Sequence, residues 1–215
     1  MTESTGGHRG FRRPAFMTPE EMEEHGGTHP DPAELTEAAH ETAAALVGAG
    51  RAAHDPEVTG RLVALVTELG LSTLADLWAA RPARSLPGAL WRLYALHEWV
   101  QRQPEEASLD YAAGMQFAAV NHVVAGAAEP PGPTEVRALT DAILRGVFEG
   151  DLAVALERAA AFCRVISAGR ADRAHAADAT DPEGASARTR RAASMLTTGE
   201  DLEACARLWR ANELL

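Results

Sequence analysis

The composition of this 215-residue chain and its repeated helix-start signals both predict an all-α fold. Ala and Leu together number 67, against 14 for Val and Ile. This ratio favours helices, because β-branched residues lose side-chain freedom in a helix. Asp-Pro pairs and Ser or Thr residues stand repeatedly just before apolar residues at helical spacing. We therefore expect a single multi-helix bundle of about nine helices, with no convincing strand.

The N-terminal tail, residues 1–30, is rich in Gly, Pro and acidic residues and has few large apolar side chains. Such a composition predicts disorder, so we expect a helical domain over 31–215. Within the tail, residues 16–24 combine Phe16 and two Met residues with four Glu residues, and Thr18 provides a helix-start signal. This segment is either a short docking peptide or part of an acidic solubilising tail, and composition favours the second interpretation.

Helix-start signals place four helices in the first half of the domain. Three follow an Asp-Pro pair or a Ser with Pro close behind, and one follows a Ser alone. Side chains of these types cap the first turn, and Pro suits that turn because it needs no amide donor there. The four helices are expected at about 32–48, 56–70, 72–81 and 86–102.

An uncharged segment, residues 111–128, is expected to form most of the central helix of the bundle, at about 110–126. A membrane span needs about 20 predominantly apolar residues, and this segment is shorter and only weakly hydrophobic. Its many Ala and Gly residues predict close approach by neighbouring helices. Larger core contacts are expected from Met115, Phe117, Val120, Val123 and Val124. Enlarging Ala119 is therefore expected to destabilise the fold more than enlarging Ala39 on the more polar first helix.

The C-terminal part follows a break at 129–133, where three prolines within four residues exclude a helix. Capping signals then predict helices at about 135–148 and 152–168, followed by a polar linker at 170–181. Two short C-terminal helices are expected to start at Pro182 and near Thr198.

The charge balance disfavours nucleic acid and anionic membranes as partners. The formal net charge is −11, so the chain as a whole repels polyanions. All 20 basic residues are Arg, which excludes Schiff-base chemistry and a P-loop lysine. Cys163 and Cys205 have no partner at metal-ligand spacing and are expected to be reduced thiols in a cytoplasmic protein. We expect no cofactor and no metal site.

Candidate ligand-binding residues lie on the fourth predicted helix, where aromatic residues are dense. Trp91, Tyr94, His97 and Glu98 are placed to line a pocket on residues 88–102, since pockets combine aromatic walls with a few polar groups. His122 is the other histidine expected to point inward. The competing interpretation is that this helix crosses the core and that its polar groups satisfy one another. The core interpretation is favoured.

Part of the chain resembles a known family. The resemblance lies in residues 90–99, 128–133, 146–151 and 162–166, with Glu-Pro-Pro-Gly-Pro and Gly-Val-Phe-Glu-Gly-Asp among the matching runs. In these segments the chain resembles an uncharacterised all-helical family of high-GC Gram-positive bacteria, some members of which carry the automatic name "DNA-directed RNA polymerase subunit beta". The resemblance covers roughly the middle and C-terminal half. It implies a transcription-related partner and supplies no catalytic residues.

The function expected from these features is that of a non-enzymatic protein-interaction or regulatory module with a protein partner. The alternative is a small-molecule-binding protein or enzyme that uses the aromatic pocket on residues 88–102. The two classes differ in one observation. A pocket protein gains thermal stability from a ligand that binds only its native state, whereas an interaction module captures a protein.

Overall fold

The computed structural model describes residues 31–127 and 132–214, and within these ranges it contains ten helices and no strand. The all-α prediction is confirmed. The expected disorder of residues 1–30 and most of the proline-rich break at 129–133 lie outside the described residues. The helices are α1 (Pro32–Ala53), α2 (Pro56–Val63), α3 (Leu65–Leu69), α4 (Leu71–Trp78), α5 (Leu86–Arg102), α6 (Pro104–Met115), α7 (Ala119–Ala125), α8 (Pro133–Glu149), α9 (Leu152–Ala177) and α10 (Pro182–Arg210).

Five helices begin at side-chain caps that the sequence predicts. Asp31, Asp55, Ser85, Asp151 and Asp181 each accept a hydrogen bond from a backbone N–H in the first turn. A cap of this kind stabilises its helix by about 1 kcal/mol, because it satisfies a donor that otherwise has no partner within the helix. Local chemistry therefore determines where these helices start.

The central helix of the bundle is α9. Its Leu152, Leu156, Phe162 and Ile166 side chains are completely buried, and the helix packs against α6, α7, α8 and α10. Among the described residues, no helix is both long enough and apolar enough to cross a membrane.

The prediction of one central helix at 110–126 is wrong. The segment is divided into α6 and α7 by a turn at residues 116–118, so it changes direction before it can run through the bundle. α6 lies against α9 at Gly114 and Gly169, where a Cβ built on either glycine would come within 2 Å of a backbone carbonyl oxygen of the other helix. Two helices can approach this closely only where side chains are absent, so the predicted close approach is confirmed at Gly114. Other small residues of the segment, such as Ala112 and Ala119, are exposed and do not allow it.

Met115 packs partly buried against the core as expected, but the other four apolar side chains expected in the core at this segment point outward. Phe117, Val120, Val123 and Val124 are 61%, 77%, 76% and 47% exposed. The side of α7 that faces α9 carries His122 and Ala125, both buried. Small and polar residues therefore occupy the inner side, and the usual assignment of large apolar residues to the core fails for this helix.

The predictions of a linker at 170–181 and of two short C-terminal helices are also wrong. α9 continues through most of the linker because Ala-rich sequence has high helix propensity, and a single long helix, α10, follows the turn. Thr198 does not cap a new helix, since its hydroxyl donates to the Ser194 carbonyl one turn earlier at 3.0 Å. Gly199 packs close to the Ala160 carbonyl oxygen of α9, which accounts for a glycine inside an unbroken helix.

Burial reverses the expected effect of enlarging Ala39 and Ala119. Ala39 is completely buried in the core, whereas Ala119 is exposed at the start of α7. Ala39→Leu is expected to lower the free energy of unfolding by about 1–3 kcal/mol, because close-packed interiors tolerate added volume poorly. Ala119→Leu is expected to leave it nearly unchanged. Urea denaturation of the two variants measures this difference, and equal stabilities would show that α1 does not pack at Ala39 as described.

Candidate functional site

The residues predicted to form a ligand pocket on α5 do not come together. Tyr94 is a core residue: its ring stacks on Trp78 with centroids 6.2 Å apart, and its hydroxyl donates to the Leu62 carbonyl oxygen at 2.6 Å. Burial raises the pKa of the Tyr94 hydroxyl well above its ordinary value, so this group stays protonated. Tyr94 therefore stabilises the packing of α2 against α5.

His97 and Glu98 point to different partners. The Nε2 atom of His97 donates to the Asp141 carboxylate of α8 at 2.6 Å. Gln101 donates to the same carboxylate oxygen at 3.2 Å. Glu98 instead pairs with Arg102 one turn later on α5, at 2.5 Å. His97 thus belongs to the contact between α5 and α8, whereas Glu98 is mostly buried and pairs within α5.

His122 holds α7 against the body of the protein. Its Nδ1 atom lies 3.1 Å from the Tyr111 hydroxyl, and the two rings meet edge to face. Burial raises the pKa of the Tyr111 hydroxyl above its ordinary value. At the other end of α7, Arg158 donates to the Ala125 carbonyl oxygen at 3.2 Å. These two contacts determine which side of α7 faces outward.

The two cysteines are unsuited to nucleophilic chemistry. Both are buried free thiols, and burial raises the pKa of Cys163 to about 12 and that of Cys205 to about 11. The reactive thiolate is therefore scarce at neutral pH. Across residues 31–127 and 132–214, no group of three or more His, Cys, Asp or Glu side chains is placed to hold a metal ion.

A groove of about 620 Å³ lies between α5, α9 and α10, and Trp91 is the only one of the five predicted site residues that lines it. We call it the aromatic–arginine groove. Two tryptophans of α5, an arginine of each of the three helices and a methionine of α10 form most of its wall. These residues are Trp91, Arg92, Trp99, Arg170, Arg191 and Met195.

A buried carboxylate, that of Asp110, holds Arg170 of this groove in place. Arg170 donates to Asp110 at 2.8 Å, and Arg173 donates to the other oxygen of the same carboxylate. Asp110 is almost completely buried. The Arg170 guanidinium lies 4.5 Å from the centre of the Trp99 ring, a cation–π arrangement. Two arginines share one carboxylate, so this cluster carries an excess of one positive charge.

A second cluster, at the other end of the groove, also has two arginines and one carboxylate. Asp201 of α10 lies 3.1 Å from the Arg84 guanidinium and 3.8 Å from that of Arg92. Arg191 is exposed on α10 and has no ion-pair partner in the described part of the chain. Glu106 of α6 also lines the groove, so three arginines and one carboxylate form its charged wall. In a protein of net charge −11, the groove is still a local region of positive charge.

The exposed side of α7 is a second candidate site. We call Phe117, Val120, Val123 and Val124 the α7 surface. No Asp, Glu, Lys or Arg occurs from residue 111 to residue 127, so these side chains have no such charged neighbour within their own segment. Isolated apolar residues are normal on protein surfaces, but contiguous exposed apolar groups mark interaction sites.

Comparison of the chain with protein-family models, curated proteins and solved structures finds no match. The aromatic–arginine groove and the α7 surface are therefore identified from the geometry of the structure alone. Sequence reasoning missed Arg170 because it lies far along the chain from the tryptophans it joins. The sequence does not indicate the α7 surface, because an uncharged segment predicts burial.

Proposed function

We propose that this protein is a non-enzymatic helical module of the cytoplasm that binds a different protein through its α7 surface. The observation that carries this proposal is the exposure of Phe117 and of three valines on a helix held in place by His122 and Arg158. A helix that is anchored on its small, polar side presents its apolar side without rearrangement. Such preorganisation favours binding because little side-chain and backbone entropy is lost.

The spacing of the valines fits a helix-in-groove contact. Val120, Val123 and Val124 lie at positions i, i+3 and i+4 of α7, the spacing by which an amphipathic helix inserts its apolar side into a groove. The partner surface is therefore an uncharged apolar groove, because a charged residue placed opposite these valines would lose its hydration without gaining a partner.

Net charge favours a different protein over a second copy of this chain. Each copy carries a formal charge of −11, so two copies repel each other as they approach. The same charge opposes binding to nucleic acid or to an anionic membrane. The two buried free thiols suit a reducing compartment such as the cytoplasm. The resemblance to the bacterial family remains a prediction, and it favours a transcription-related partner.

Charged substitutions on the α7 surface test this proposal. Val120→Asp combined with Val123→Asp is expected to weaken partner binding at least about 30-fold, because two carboxylates would be buried without partners. The protein is first used to isolate its partner by affinity capture, and the purified pair is then titrated by calorimetry. The melting temperature should change little, since both valines are more than 70% exposed.

Leu69→Asp is the matched control, because Leu69 is another exposed apolar residue and lies at the end of α3. The control variant is expected to bind the partner with unchanged affinity. If the double variant bound the partner as tightly as the unmodified protein does, the proposal would be contradicted. The proposal would also be contradicted if the purified protein associated with itself and the double variant did not, because the α7 surface would then be an interface between copies.

A further inference from the structure

The second site, the aromatic–arginine groove, has a matching segment within the same chain. We propose that this groove binds residues 16–24 of the protein. The inference is independent of the proposed function, since it concerns a different surface and a different ligand. Residues 16–24 lie outside the described part of the chain, so the inference depends on the groove, the sequence of the segment and the distance between them.

The groove offers positive charge next to apolar and aromatic surface. Arg170 is fixed over Trp99 by Asp110, and Arg92 is held by Asp201. Arg191 on the rim lacks an ion-pair partner in the described residues. Guanidinium groups of this kind recognise carboxylates through paired hydrogen bonds. The complementary ligand is therefore acidic and also carries aromatic or long apolar side chains.

The sequence of residues 16–24 has this composition. It contains four glutamates, at positions 20, 21, 23 and 24, interspersed with Phe16, Met17 and Met22. The segment therefore combines carboxylates, which complement the excess positive charge of the groove, with apolar side chains for Trp91 and Met195. This match favours the docking-peptide interpretation of the segment over the solubilising-tail interpretation.

The chain is long enough to reach the groove. Arg81 donates to Thr36 in α1 at 2.6 Å, so the start of α1 lies near the connection that leads into α5. Helix rise over 86–92 and an extended chain over 81–86 put Arg92 within about 25 Å of Arg81. The Arg81–Thr36 contact adds about 12 Å and the helix from Thr36 back to Asp31 about 8 Å, so the Arg92 end of the groove lies within about 45 Å of Asp31. The fifteen residues from Phe16 to Asp31 span up to about 50 Å.

A second groove of about 700 Å³, between α1 and the end of α10, suits this segment less well. Its wall is mainly apolar and includes His40, Glu41, Arg51 and Trp209. The single arginine is already placed over the Trp209 ring, 5.3 Å from its centre, and Glu41 offsets its charge. This groove therefore has no excess of positive charge for four glutamates.

Photo-crosslinking in the full-length protein tests the inference. The aromatic crosslinker p-benzoylphenylalanine replaces Phe16, and the crosslinked peptides are identified by mass spectrometry. We expect crosslinks to α5 or α10 within the groove, with Met195 as a favoured target. Arg191→Glu is expected to lower the crosslink yield at least about five-fold, because it replaces attraction by repulsion at the rim. Raising the salt concentration should lower the yield in the same direction.

Arg190→Glu is the matched control, since Arg190 is the exposed neighbour on α10 and bonds to Ser186 outside the groove. Arg190→Glu is expected to keep the crosslink yield of the protein without either Arg substitution. Circular dichroism should show that both variants are folded. Crosslinks to the second groove, to α7 or to no defined site would overturn the inference, as would equal losses in both variants. Val120→Asp with Val123→Asp should not change the yield, so failure of one proposal is distinguishable from failure of the other.

Discussion

Gly169→Ala is expected to lower the free energy of unfolding by at least about 3 kcal/mol, because overpacking against backbone exceeds the usual range for added core volume. A Cβ at this position would lie 1.7 Å from the Asp110 carbonyl oxygen of α6. Backbone cannot move aside as a flexible side chain can, so α6 and α9 would have to separate. Urea denaturation measures the loss, and a small domain has only about 5–15 kcal/mol of stability in total.

Gly48→Ala is the matched control for this substitution. Gly48 lies inside α1, and nothing stands within 4 Å of a Cβ built there. Alanine is favoured over glycine within a helix by about 0.5–1 kcal/mol, so this variant is expected to be more stable than the unmodified protein. If Gly169→Ala gained stability in the same way, the close crossing of α6 and α9 would be wrong.

Asp110→Asn is expected to destabilise the protein by about 3–5 kcal/mol, because it removes the charge that balances a buried arginine. Arg170 is 8% exposed and donates to this carboxylate, as does Arg173. Without the carboxylate charge, the guanidinium groups of Arg170 and Arg173 repel each other with no anion between them. The midpoint of urea denaturation provides the measurement. The emission spectrum of the four tryptophans should also shift as Arg170 leaves its position over the Trp99 ring.

Glu157→Gln removes a carboxylate from a more exposed ion pair between α9 and α10. Glu157 binds Arg210 through both oxygens, at 2.5 and 2.8 Å, and the hydrogen bond to Arg210 lowers the pKa of the Glu157 carboxyl. Water and salt screen such a pair, so the change in stability should be small. A loss equal to that of Asp110→Asn would show that burial does not distinguish the two pairs.

Local chemistry made some parts of this fold predictable from sequence. Asp31 and Asp151 cap their helices as predicted, because a cap depends on neighbouring residues only. The turn at 116–118 and the outward direction of Val120 depend on contacts with α9. Those contacts involve residues distant in sequence, so no local pattern indicates them.

The candidate sites were predictable to a similar extent. Trp91 was identified from the density of aromatic residues on α5, and it does line a groove. Arg170 and Arg191 complete that groove from α9 and α10, and only the packing of three helices brings them to the tryptophans. Tyr94 and His97 lie on the same helix as Trp91 but are turned about 60° and 120° from it around the helix axis, so they face other neighbours.

The most direct test of the central claim is photo-crosslinking from the α7 surface in a lysate of the source cells. The crosslinker p-benzoylphenylalanine is placed at Val120 in one protein and at Leu69 in another, two exposed apolar positions on different helices. The account predicts that the crosslinker at Val120 captures one dominant protein. The crosslinker at Leu69 should not capture this protein, and adding Val123→Asp should abolish its capture at Val120. Identical products at both positions, or crosslinks at Val120 only to further copies of this chain, would contradict it.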